Sequence, residues 1–403
     1  MKPVFVLDIG TSKVVCLAAS LSEKGPMKVQ AIGIATSKGV KRGAIVDLAE
    51  VSGAIQLAIQ RVESDLGQKV TDLLVNVGGT EVEGTVGQGL VPIFPRSRSI
   101  TREDVLQVIN HSRQIMLPPD REMVQSIPRE FRIDGQRGIQ KPIGMNGSRL
   151  EVSTFIVTSP MSLVQNLESA IGTTGGRIDQ FCLGGLASAL GVATEEEIES
   201  GVVVLDIGAG KTDLVVLSGG SINYAATLPI GAGHVTSDLS KLLKASPDEA
   251  ERLKIRHGIA QAKGVREDES VDVVQLGQTT PRPLQRRVLC EIIESRMREI
   301  ATMTWQHVER SGMVGMLPGG LVLTGGGSRL PATDELFADT VRHLRVRQTE
   351  PSEKAARDAV GLACALGLAR YGLQCQEDEL IPASGGTGWK EKVRTFWSLM
   401  SGR

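Results

Sequence analysis

The sequence predicts an α/β fold made of two similar halves that face each other across a cleft. The first observation is an internal repeat, VFVLDIGTSKVVCLA at 4–18 and VVVLDIGAGKTDLVV at 202–216. Both copies read as an apolar strand, an aspartate, a glycine-rich turn and a second strand. Because each copy opens about half of the chain, we expect a duplicated fold with a cleft between its halves.

The second observation is an alternation of strand and helix patterns. Apolar runs at 73–77 and 154–158 predict strands, and apolar residues at helical spacing predict helices at 48–62 and 161–172. That alternation is typical of α/β layers. After the second copy of the repeat, LVLT within 317–331 predicts one more buried strand that runs into a glycine turn.

Length and composition favour a cytosolic protein of at least two domains. The chain has 403 residues, 41% of them hydrophobic, and a formal net charge of -1, so its overall charge does not indicate nucleic-acid binding. The five cysteines are scattered and never spaced as C-x-x-C, so we expect neither a disulfide framework nor a zinc site. The apolar run before Asp8 is too short for a signal peptide, and no stretch approaches the ~20 apolar residues of a membrane-spanning helix. Any membrane contact is therefore expected to be peripheral.

Composition also indicates how the chain is divided. Prolines and glycines are frequent in 83–161 around a predicted helix near 102–116, which indicates an inserted subdomain. The stretch 234–304 is charged and helix-rich, with Pro281 and Pro283 in a predicted polar connection. We expect a first core domain at 1–82 with 162–199 and about 365–373, the inserted subdomain at 83–161, a second core domain at 200–233 with 305–364, a helical subdomain at 234–304, a flexible linker at 374–388 and a terminal helix at 389–403.

The two glycine-rich turns have the composition of phosphate-binding loops. Glycine lets the backbone approach a phosphate closely, hydroxyls and amides donate hydrogen bonds, and lysine neutralises charge. Asp8 and Asp206 end the two matching strands, and two carboxylates suffice to hold a hydrated Mg2+. The candidate phosphate-binding residues are Gly10, Thr11, Ser12 and Lys13 in the first turn and Gly208, Gly210, Lys211 and Thr212 in the second.

Spacing excludes two other nucleotide motifs. A Walker A loop ending at Lys211 and Thr212 needs a glycine where the chain has Leu205, and a following helix where it has the strand-like DLVVL. A Rossmann loop from Gly325 needs a third glycine where the chain has Leu330. Either aspartate turn alone is compatible with a plain β-hairpin, but two copies in register together with TGGGSRLP favour a nucleotide site.

The two turns and TGGGSRLP resemble the phosphate hairpins and adenosine turn of the superfamily of sugar kinases, heat-shock chaperones and actin. Within it, the chain is similar to the FtsA family of bacterial cell-division proteins over nearly its whole length. The 127–152 segment is the most specific, because it lies in the inserted subdomain typical of that family. The similar segments are SKGVKRGAIVDLAE at 37–50, ITREDVLQVI at 100–109, IPREFRIDGQRGIQKPIGMNGSRLEV at 127–152, VVVLDIGAGKTDL at 202–214, EAERLKIRHG at 249–258 and LVLTGGGSRLP at 321–331.

The resemblance implies an actin-like (ribonuclease H-like) fold that binds ATP and Mg2+ in its cleft and carries an FtsA-type inserted subdomain. It implies that Asp8 and Asp206 flank the metal, that Gly233, Glu251 and Lys254 lie near the ribose, and that adenine is bordered by Gly326, Gly327 and Arg329. From the residues alone, Glu251 and Lys254 are better explained as an exposed i,i+3 ion pair on a helix. The family's second turn usually reads DIGGGTTD, so Ala209 and Lys211 are departures, and Lys211 would either contact phosphate or point to solvent.

No side chain stands out as a general base for hydrolysis. Hydrolysis in this superfamily depends mainly on positioning and electrostatics around the γ-phosphate. We therefore expect at most a slow ATPase, in which the nucleotide acts mainly as a switch for assembly. Two alternatives are a PilM-like nucleotide-binding scaffold of pilus assembly, which would lack a tryptophan-containing tail, and a small-molecule kinase, which would need a catalytic carboxylate facing a substrate pocket.

The last residues predict an amphipathic membrane anchor. The opposite face of the predicted helix has a basic excess suited to anionic headgroups, and a helix of about 18 Å is too short to span a bilayer. We expect the tail to be disordered until it meets lipid. The alternatives are a helix docked on the protein's own core and a helix that binds a partner. The apolar residues recur at i, i+4, i+7, i+8 and i+11 and are Trp389, Val393, Phe396, Trp397 and Met400.

The resemblance also implies partners and a location. ATP would favour self-association into actin-like filaments, and the tail would bind the anionic cytoplasmic face of the bacterial inner membrane at the division site. The C-terminal peptide of the tubulin-like FtsZ would dock on the helical subdomain at 234–304. Arg282, Arg286 and Arg287 are a candidate contact for this peptide, although such a basic run is more often a solvated face.

Overall fold

The computed structural model of this chain describes residues 3–21, 27–341, 343–349 and 360–377. The described part contains two five-stranded mixed sheets, one around each copy of the internal repeat, and a smaller four-stranded antiparallel sheet. The two large sheets have the same strand order, with three antiparallel strands followed by two parallel ones. The predicted duplicated α/β fold is therefore confirmed.

The first large sheet forms around the first copy of the repeat. Its central strands are almost wholly buried, as expected for a sheet covered by helices. Its strands are β1 (Val4–Ile9), β2 (Lys13–Leu21), β3 (Met27–Thr36), β6 (Asp72–Val77) and β13 (Arg177–Leu183), in the order β13-β6-β1-β2-β3, and a separate hairpin is formed by β4 (Val40–Lys41) and β5 (Ala44–Ile45).

Within the described residues, four helices belong to this half: α1 (Leu48–Leu66), α3 (Met161–Gly172), α4 (Gly184–Val192) and α10 (Ala363–Glu377). The sequence sets the limits of α1, because Asp47 accepts a hydrogen bond from the Glu50 amide at its start and Gly67 adopts the left-handed conformation (φ 66°) at its end. The helices predicted at 48–62 and 161–172 are thus confirmed as α1 and α3.

The second large sheet repeats the topology of the first. Its strands are β14 (Val202–Ile207), β15 (Thr212–Ser218), β16 (Ser221–Leu228), β19 (Leu321–Thr324) and β20 (Val346–Gln348), in the order β16-β15-β14-β19-β20. The predicted LVLT strand is β19, and all of its residues are buried. In the register of the two hairpins, Asp206 lies opposite Asp213, whereas Asp8 lies opposite Val15. The second hairpin therefore has a carboxylate that the first hairpin lacks.

A four-stranded antiparallel sheet with one covering helix interrupts the first half. The predicted helix near 102–116 is α2, which ends at Ser112, so its predicted end is wrong. The chain turns away before Pro118 and Pro119, and Met116 is exposed. The elements are β7 (Glu83–Pro92), β8 (Arg98–Ser99), α2 (Arg102–Ser112), β9 (Arg121–Ile133), β10 (Gln136–Ile139), β11 (Asn146–Gly147) and β12 (Arg149–Pro160), and the larger sheet has the order β10-β9-β12-β7.

The stretch between β16 and β19 is mostly helical. The predicted polar connection is confirmed at Pro281, which lies in the irregular stretch between two strands, but not at Pro283. Pro283 lies in a strand of a two-stranded sheet, where a missing amide donor is tolerated. The boundary predicted after residue 304, between the helical subdomain and the second core domain, falls inside the helix that spans Arg286–Arg310. The elements of the second half beyond its sheet are α5 (Glu195–Ser200), α6 (Ala232–Leu243), α7 (Pro247–His257), β17 (Ser270–Val273), β18 (Arg282–Gln285), α8 (Arg286–Arg310) and α9 (Thr333–Thr340), with short 3-10 turns at Ala262–Gly264, Gly326–Arg329 and Val360–Leu362.

The predicted linker at 374–388 begins too early. Residues 374–377 belong to α10, and Cys375 is buried there, so packing on the first half continues the helix past the predicted boundary. The remainder of the predicted linker and the predicted helix at 389–403 lie outside the described residues. Among the helices that are described, none is both long and apolar enough to cross a bilayer.

A buried ion pair in the inserted subdomain leads to a first prediction. The guanidinium of Arg98 donates to the carboxylate of Asp104 at 2.7 and 2.8 Å, and the Thr101 amide donates to it at 2.8 Å. Asp104 is buried, and Arg98, against the opposing effect of burial, holds the pKa of Asp104 well below its usual range. We expect Asp104→Asn to lower the free energy of unfolding by about 2 kcal/mol at pH 7, since the variant loses charged hydrogen bonds.

The pH dependence of this effect has a definite sign. The depressed pKa stabilises the fold only while the carboxylate is ionised, so the difference between wild type and variant should shrink as pH falls below about 4. Urea denaturation followed by circular dichroism measures both quantities. The control is Glu151→Gln, which breaks the more exposed pair with Arg149 (2.7 Å) and should cost less than about 0.5 kcal/mol. Equal losses in the two variants would contradict the prediction.

Candidate functional site

The two glycine-rich turns lie in one cleft of about 770 Å³ between the two halves. They are close neighbours, because a Cβ added to Gly210 would lie 2.6 Å from the Thr11 hydroxyl oxygen. All of the predicted phosphate, metal, ribose and adenine residues except Thr212 line this cleft: Asp8, Gly10, Thr11, Ser12, Lys13, Asp206, Gly208, Gly210, Lys211, Gly233, Glu251, Lys254, Gly326, Gly327 and Arg329.

The two turns have the same backbone geometry. Gly10 donates its amide to the carbonyl of Lys13 at 3.0 Å, and Gly208 donates to the carbonyl of Lys211 at 3.0 Å. The second turn also packs on the start of α6, where Gly233 donates to the carbonyl of Ala209 at 2.8 Å. A Cβ on Gly233 would lie 2.8 Å from that same oxygen, so this close approach requires glycine.

Asp8 is held in place by a residue that the sequence analysis did not single out. Asn76, in β6, donates its Nδ2 to Asp8 Oδ1 at 2.7 Å and accepts the Ile9 amide at 2.8 Å. Burial raises the pKa of Asp8 above its usual value, although a Cys364 hydrogen bond and the charge of Lys13 oppose that shift. Asn76 therefore fixes the direction of the carboxylate at the floor of the cleft.

Asp206 occupies the equivalent place in the second half. Ser188, in α4, donates its hydroxyl to Asp206 Oδ2. The pKa of Asp206 is raised to about 6, chiefly by burial; this hydrogen bond and the charge of Lys211 oppose the rise, whereas the charges of Asp213 and Asp8 contribute to it. The pKa shifts of both aspartates show that burial penalises their charged forms, which a bound cation would relieve.

The residues fit a hydrated magnesium ion and a polyphosphate. A hydrated Mg2+ needs only one or two protein carboxylates, and Asp8 and Asp206 supply two in one cleft. Such an ion, when bound, would neutralise part of the charge on the phosphates. In the part of the chain that the structure describes, no group of three or more His, Cys, Asp or Glu side chains is arranged to hold a metal. A Cβ at Gly10 or Gly208 would lie 3.0 or 2.9 Å from the carbonyl oxygen that closes its turn, so both tight turns favour glycine.

Lys211 and Thr212 are placed differently from each other. Lys211 forms an ion pair with Asp213, and both side chains are mostly buried. Burial alone would lower the pKa of Lys211, but Asp213 raises it, and the net pKa lies above the usual lysine value. The Thr212 side chain is fully buried and donates to the carbonyl of Ile230 at 2.8 Å, so it does not line the cleft.

The two predicted ribose residues on α7, Glu251 and Lys254, form an ion pair with each other and also line the cleft. Lys254 pairs with Glu251 at 2.6 Å, as the i,i+3 interpretation expects. That interpretation is wrong about exposure, because Lys254 is only 7% exposed and donates to Thr236 Oγ1 at 2.9 Å and to the carbonyl of Ala232 at 3.3 Å. These bonds tie α7 to α6 and keep Glu251 at the cleft.

The turn after β19 contains a glycine whose conformation is required. Gly325 has φ 83°, and a Cβ there would overlap Asp206 Oδ1 and lie 2.6 Å from the carbonyl oxygen of Ile207. We expect Gly325→Ala to lower the free energy of unfolding by about 3 kcal/mol, because the methyl group would be strained and would displace Asp206.

The neighbouring glycine provides a matched control. A Cβ on Gly326 would have no atom within 4 Å, so Gly326→Ala should change stability by less than about 1 kcal/mol. Thermal denaturation without nucleotide gives the melting temperatures of Gly325→Ala, Gly326→Ala and wild type for this comparison. Equal melting temperatures in Gly325→Ala and wild type would show that the turn is not constrained in this way.

Several polar residues of the cleft were not predicted from the sequence, among them Asn76, Ser188, Asp213 and Thr236. Asn76 and Ser188 come from other elements and carry no local signal, because their importance depends on the folded arrangement. Asp213 could have been found from the sequence, because pairing the two strands of the second hairpin places it opposite Asp206. Asp213 also accepts a hydrogen bond from Thr227 Oγ1 at 2.7 Å.

Comparison with protein families gives two matches. The model described as cell division protein FtsA matches residues 203–367, and the model described as an SHS2 domain inserted in FtsA matches residues 79–158. The cell division protein FtsA of Pseudomonas aeruginosa is 34% identical over 392 residues, which cover 96% of this chain and 93% of that protein. FtsA of Escherichia coli is 32% identical over 412 residues, which cover 98% of this chain and 97% of that protein.

Solved structures resemble the whole described arrangement at low sequence identity. A PilM-PilN type IV pilus biogenesis complex matches with a TM-score of 0.66 and 17% identity, covering 92% of this chain and 98% of that one. MreB5 of Spiroplasma citri bound to ADP matches with a TM-score of 0.58 and 13% identity, covering 94% and 99%. At these identities the likeness concerns the fold, which is actin-like as predicted.

Proposed function

This chain belongs to the FtsA family of cell-division proteins, and from that premise we propose that it is an ATP-binding protein that polymerises on the inner membrane and tethers FtsZ filaments there. The observation that carries the proposal is the pair of aspartate turns that face each other in one cleft of an actin-like fold. A cleft of this size and polarity between two halves suits a nucleotide.

The nucleotide is proposed to lie across the cleft. Asp8 and Asp206 hold hydrated Mg2+, and the two glycine turns bind the phosphates. Glu251 and Lys254 lie on the ribose side, and the turn from Gly326 to Arg329 borders adenine. Hydrolysis is proposed to be slow, because the carboxylate of Asp213 is already engaged by Lys211 and Thr227.

ATP is proposed to act as an assembly switch. In the bound state the nucleotide would join the two halves, and the closed protein would associate into actin-like filaments at the cytoplasmic face of the inner membrane. The tail at 389–403 would supply the peripheral attachment to anionic lipid. This arrangement would concentrate the protein at the division site.

The FtsZ C-terminal peptide is proposed to dock on the helical subdomain at 234–304. The candidate arginines differ in their present contacts. Arg286 pairs with Glu269 at 2.5 Å, and Arg287 lies 3.2 Å from Glu291, whereas Arg282 on β18 is exposed. A peptide would have to displace existing ion pairs at Arg286 and Arg287. Arg282 is therefore the arginine that a peptide would reach most easily.

Recruitment of FtsZ to vesicles tests the whole proposal. The full-length chain is mixed with FtsZ and anionic vesicles in ATP or ADP with Mg2+, and the pellet is analysed after centrifugation. We expect FtsZ to sediment with the vesicles only when the chain is present, and more in ATP than in ADP. FtsZ lacking its C-terminal peptide should remain in solution. Recruitment that is independent of this chain or of that peptide would refute the tether.

The alternative of a pilus-assembly scaffold rests on the likeness to the PilM-PilN complex, whose low identity bears on the fold alone. The tryptophan-containing tail and the match to the inserted FtsA subdomain favour the division tether instead.

A further inference from the structure

Lys211 is one of two residues, with Ala209, at which the second turn departs from the family pattern. Its ammonium group pairs with the carboxylate of Asp213, two residues further along in β15. The two side chains are only 15% and 13% exposed, and both line the cleft. Lys211 therefore does not point to solvent, and its charge acts inside the site.

The pair lies at the floor of the cleft, where the two halves meet. A Cβ on Gly78, just after β6, would lie 2.9 Å from Lys211 Nζ, and a Cβ on Gly184 would lie 3.9 Å from Asp213 Oδ2. Thr227 holds the other oxygen of Asp213 at 2.7 Å. The pair is thus fixed from both halves and cannot easily be turned out of the cleft.

Several charged side chains line the cleft near this pair. The carboxylates of Asp8, Asp206 and Asp213 are among them, the charge of Lys13 acts on Asp8, and Lys211 pairs with Asp213. Without Lys211, an unpaired Asp213 would stand beside the phosphates in a partly buried site, where two like charges repel each other more strongly than in bulk water. A triphosphate would suffer more than a diphosphate, because it carries more negative charge.

We propose that Lys211 sets the preference of the cleft for a nucleoside triphosphate over a diphosphate by neutralising Asp213. The inference rests on the proposed nucleotide binding and deepens it. Lys211 is a positioning residue in this scheme: it acts through Asp213 and needs no direct contact with a phosphate.

The test measures ATP and ADP dissociation constants by calorimetry with Mg2+ present. Lys211→Met should weaken ATP binding by about thirtyfold and ADP binding by about fivefold or less, which lowers the preference for ATP at least about sixfold. Adding Asp213→Asn to Lys211→Met should restore both constants to within about threefold of wild type, because no charge is left unpaired. Lys211→Arg should keep the wild-type preference.

A matched control removes a lysine of a similar ion pair outside the cleft. Lys69 pairs with Glu63 at 2.9 Å and is 84% exposed, so Lys69→Met should leave both constants unchanged. Circular dichroism establishes that each variant folds. If Lys211→Met alone does not fold, Lys211→Arg and the double variant still test the inference, since both must bind like wild type.

Two outcomes overturn the inference, and a third would refute the proposed function. An unchanged ratio of the ADP and ATP constants in a folded Lys211→Met variant would show that Lys211 does not discriminate between them. Failure of Asp213→Asn to restore binding would mean that Lys211 contacts the phosphate directly. A wild-type chain that binds no nucleotide would instead refute the proposed function, so the two failures are distinguishable.

Discussion

Replacing Phe396 by glutamate should release the full-length chain from anionic vesicles, whereas glutamate at Ser398 should have a much smaller effect. In a helix beginning at Trp389, Phe396 lies within the apolar stripe, and Ser398 lies on the opposite side. Both variants add one negative charge, so they lose electrostatic attraction to the lipid equally. Only Phe396→Glu also loses an apolar side chain worth about 1.5–3 kcal/mol on burial, and we expect its membrane partition to be at least about tenfold weaker than that of Ser398→Glu.

Co-sedimentation with vesicles that contain an anionic lipid measures the bound fraction of each variant. Vesicles of neutral lipid alone provide the electrostatic control, and a peptide spanning 386–403 should gain helix in circular dichroism only when anionic vesicles are added. Equal binding by Phe396→Glu and Ser398→Glu would contradict the anchor. It would favour the two alternatives, a helix docked on the protein's own core or a helix for a protein partner.

The fold was predictable where the chain repeats a pattern. The two aspartate turns sit between apolar strands, and burial of both strands of each hairpin follows directly from their composition. Prediction was poorer where long-range packing decides the outcome. Nothing local shows that Pro283 joins a strand or that Cys375 is buried in a helix, because both depend on what the chain meets after folding.

The residues of the candidate site were likewise predictable where the signal is local, and not predictable where it depends on contacts between distant elements. Residues within the repeated turns could be found from one stretch of sequence, because turn chemistry is local. Asn76 and Ser188 could not, because each comes from a separate element and acquires its role by touching an aspartate. Lys254 shows an intermediate case: its helical partner Glu251 was predictable from spacing, but its burial against Thr236 was not.

Replacing either Asp8 or Asp206 by asparagine should remove most of the gain in ATP affinity that Mg2+ provides. Each aspartate is proposed to hold the same ion, and asparagine keeps the shape of the side chain while removing its charge. We expect each single variant to lose at least about tenfold of that gain. Because one ion cannot be lost twice, the double variant should lose little more than the worse single variant.

The measured quantity is the ratio of ATP dissociation constants without and with Mg2+, taken for wild type, both single variants and the double variant. Using this ratio cancels the direct repulsion between each carboxylate and the phosphates, which is present in both conditions. Asp65→Asn, at an exposed position on α1, serves as the control and should keep the wild-type ratio. If the two single effects simply multiply in the double variant, the aspartates act independently, and a metal shared across the two halves is ruled out.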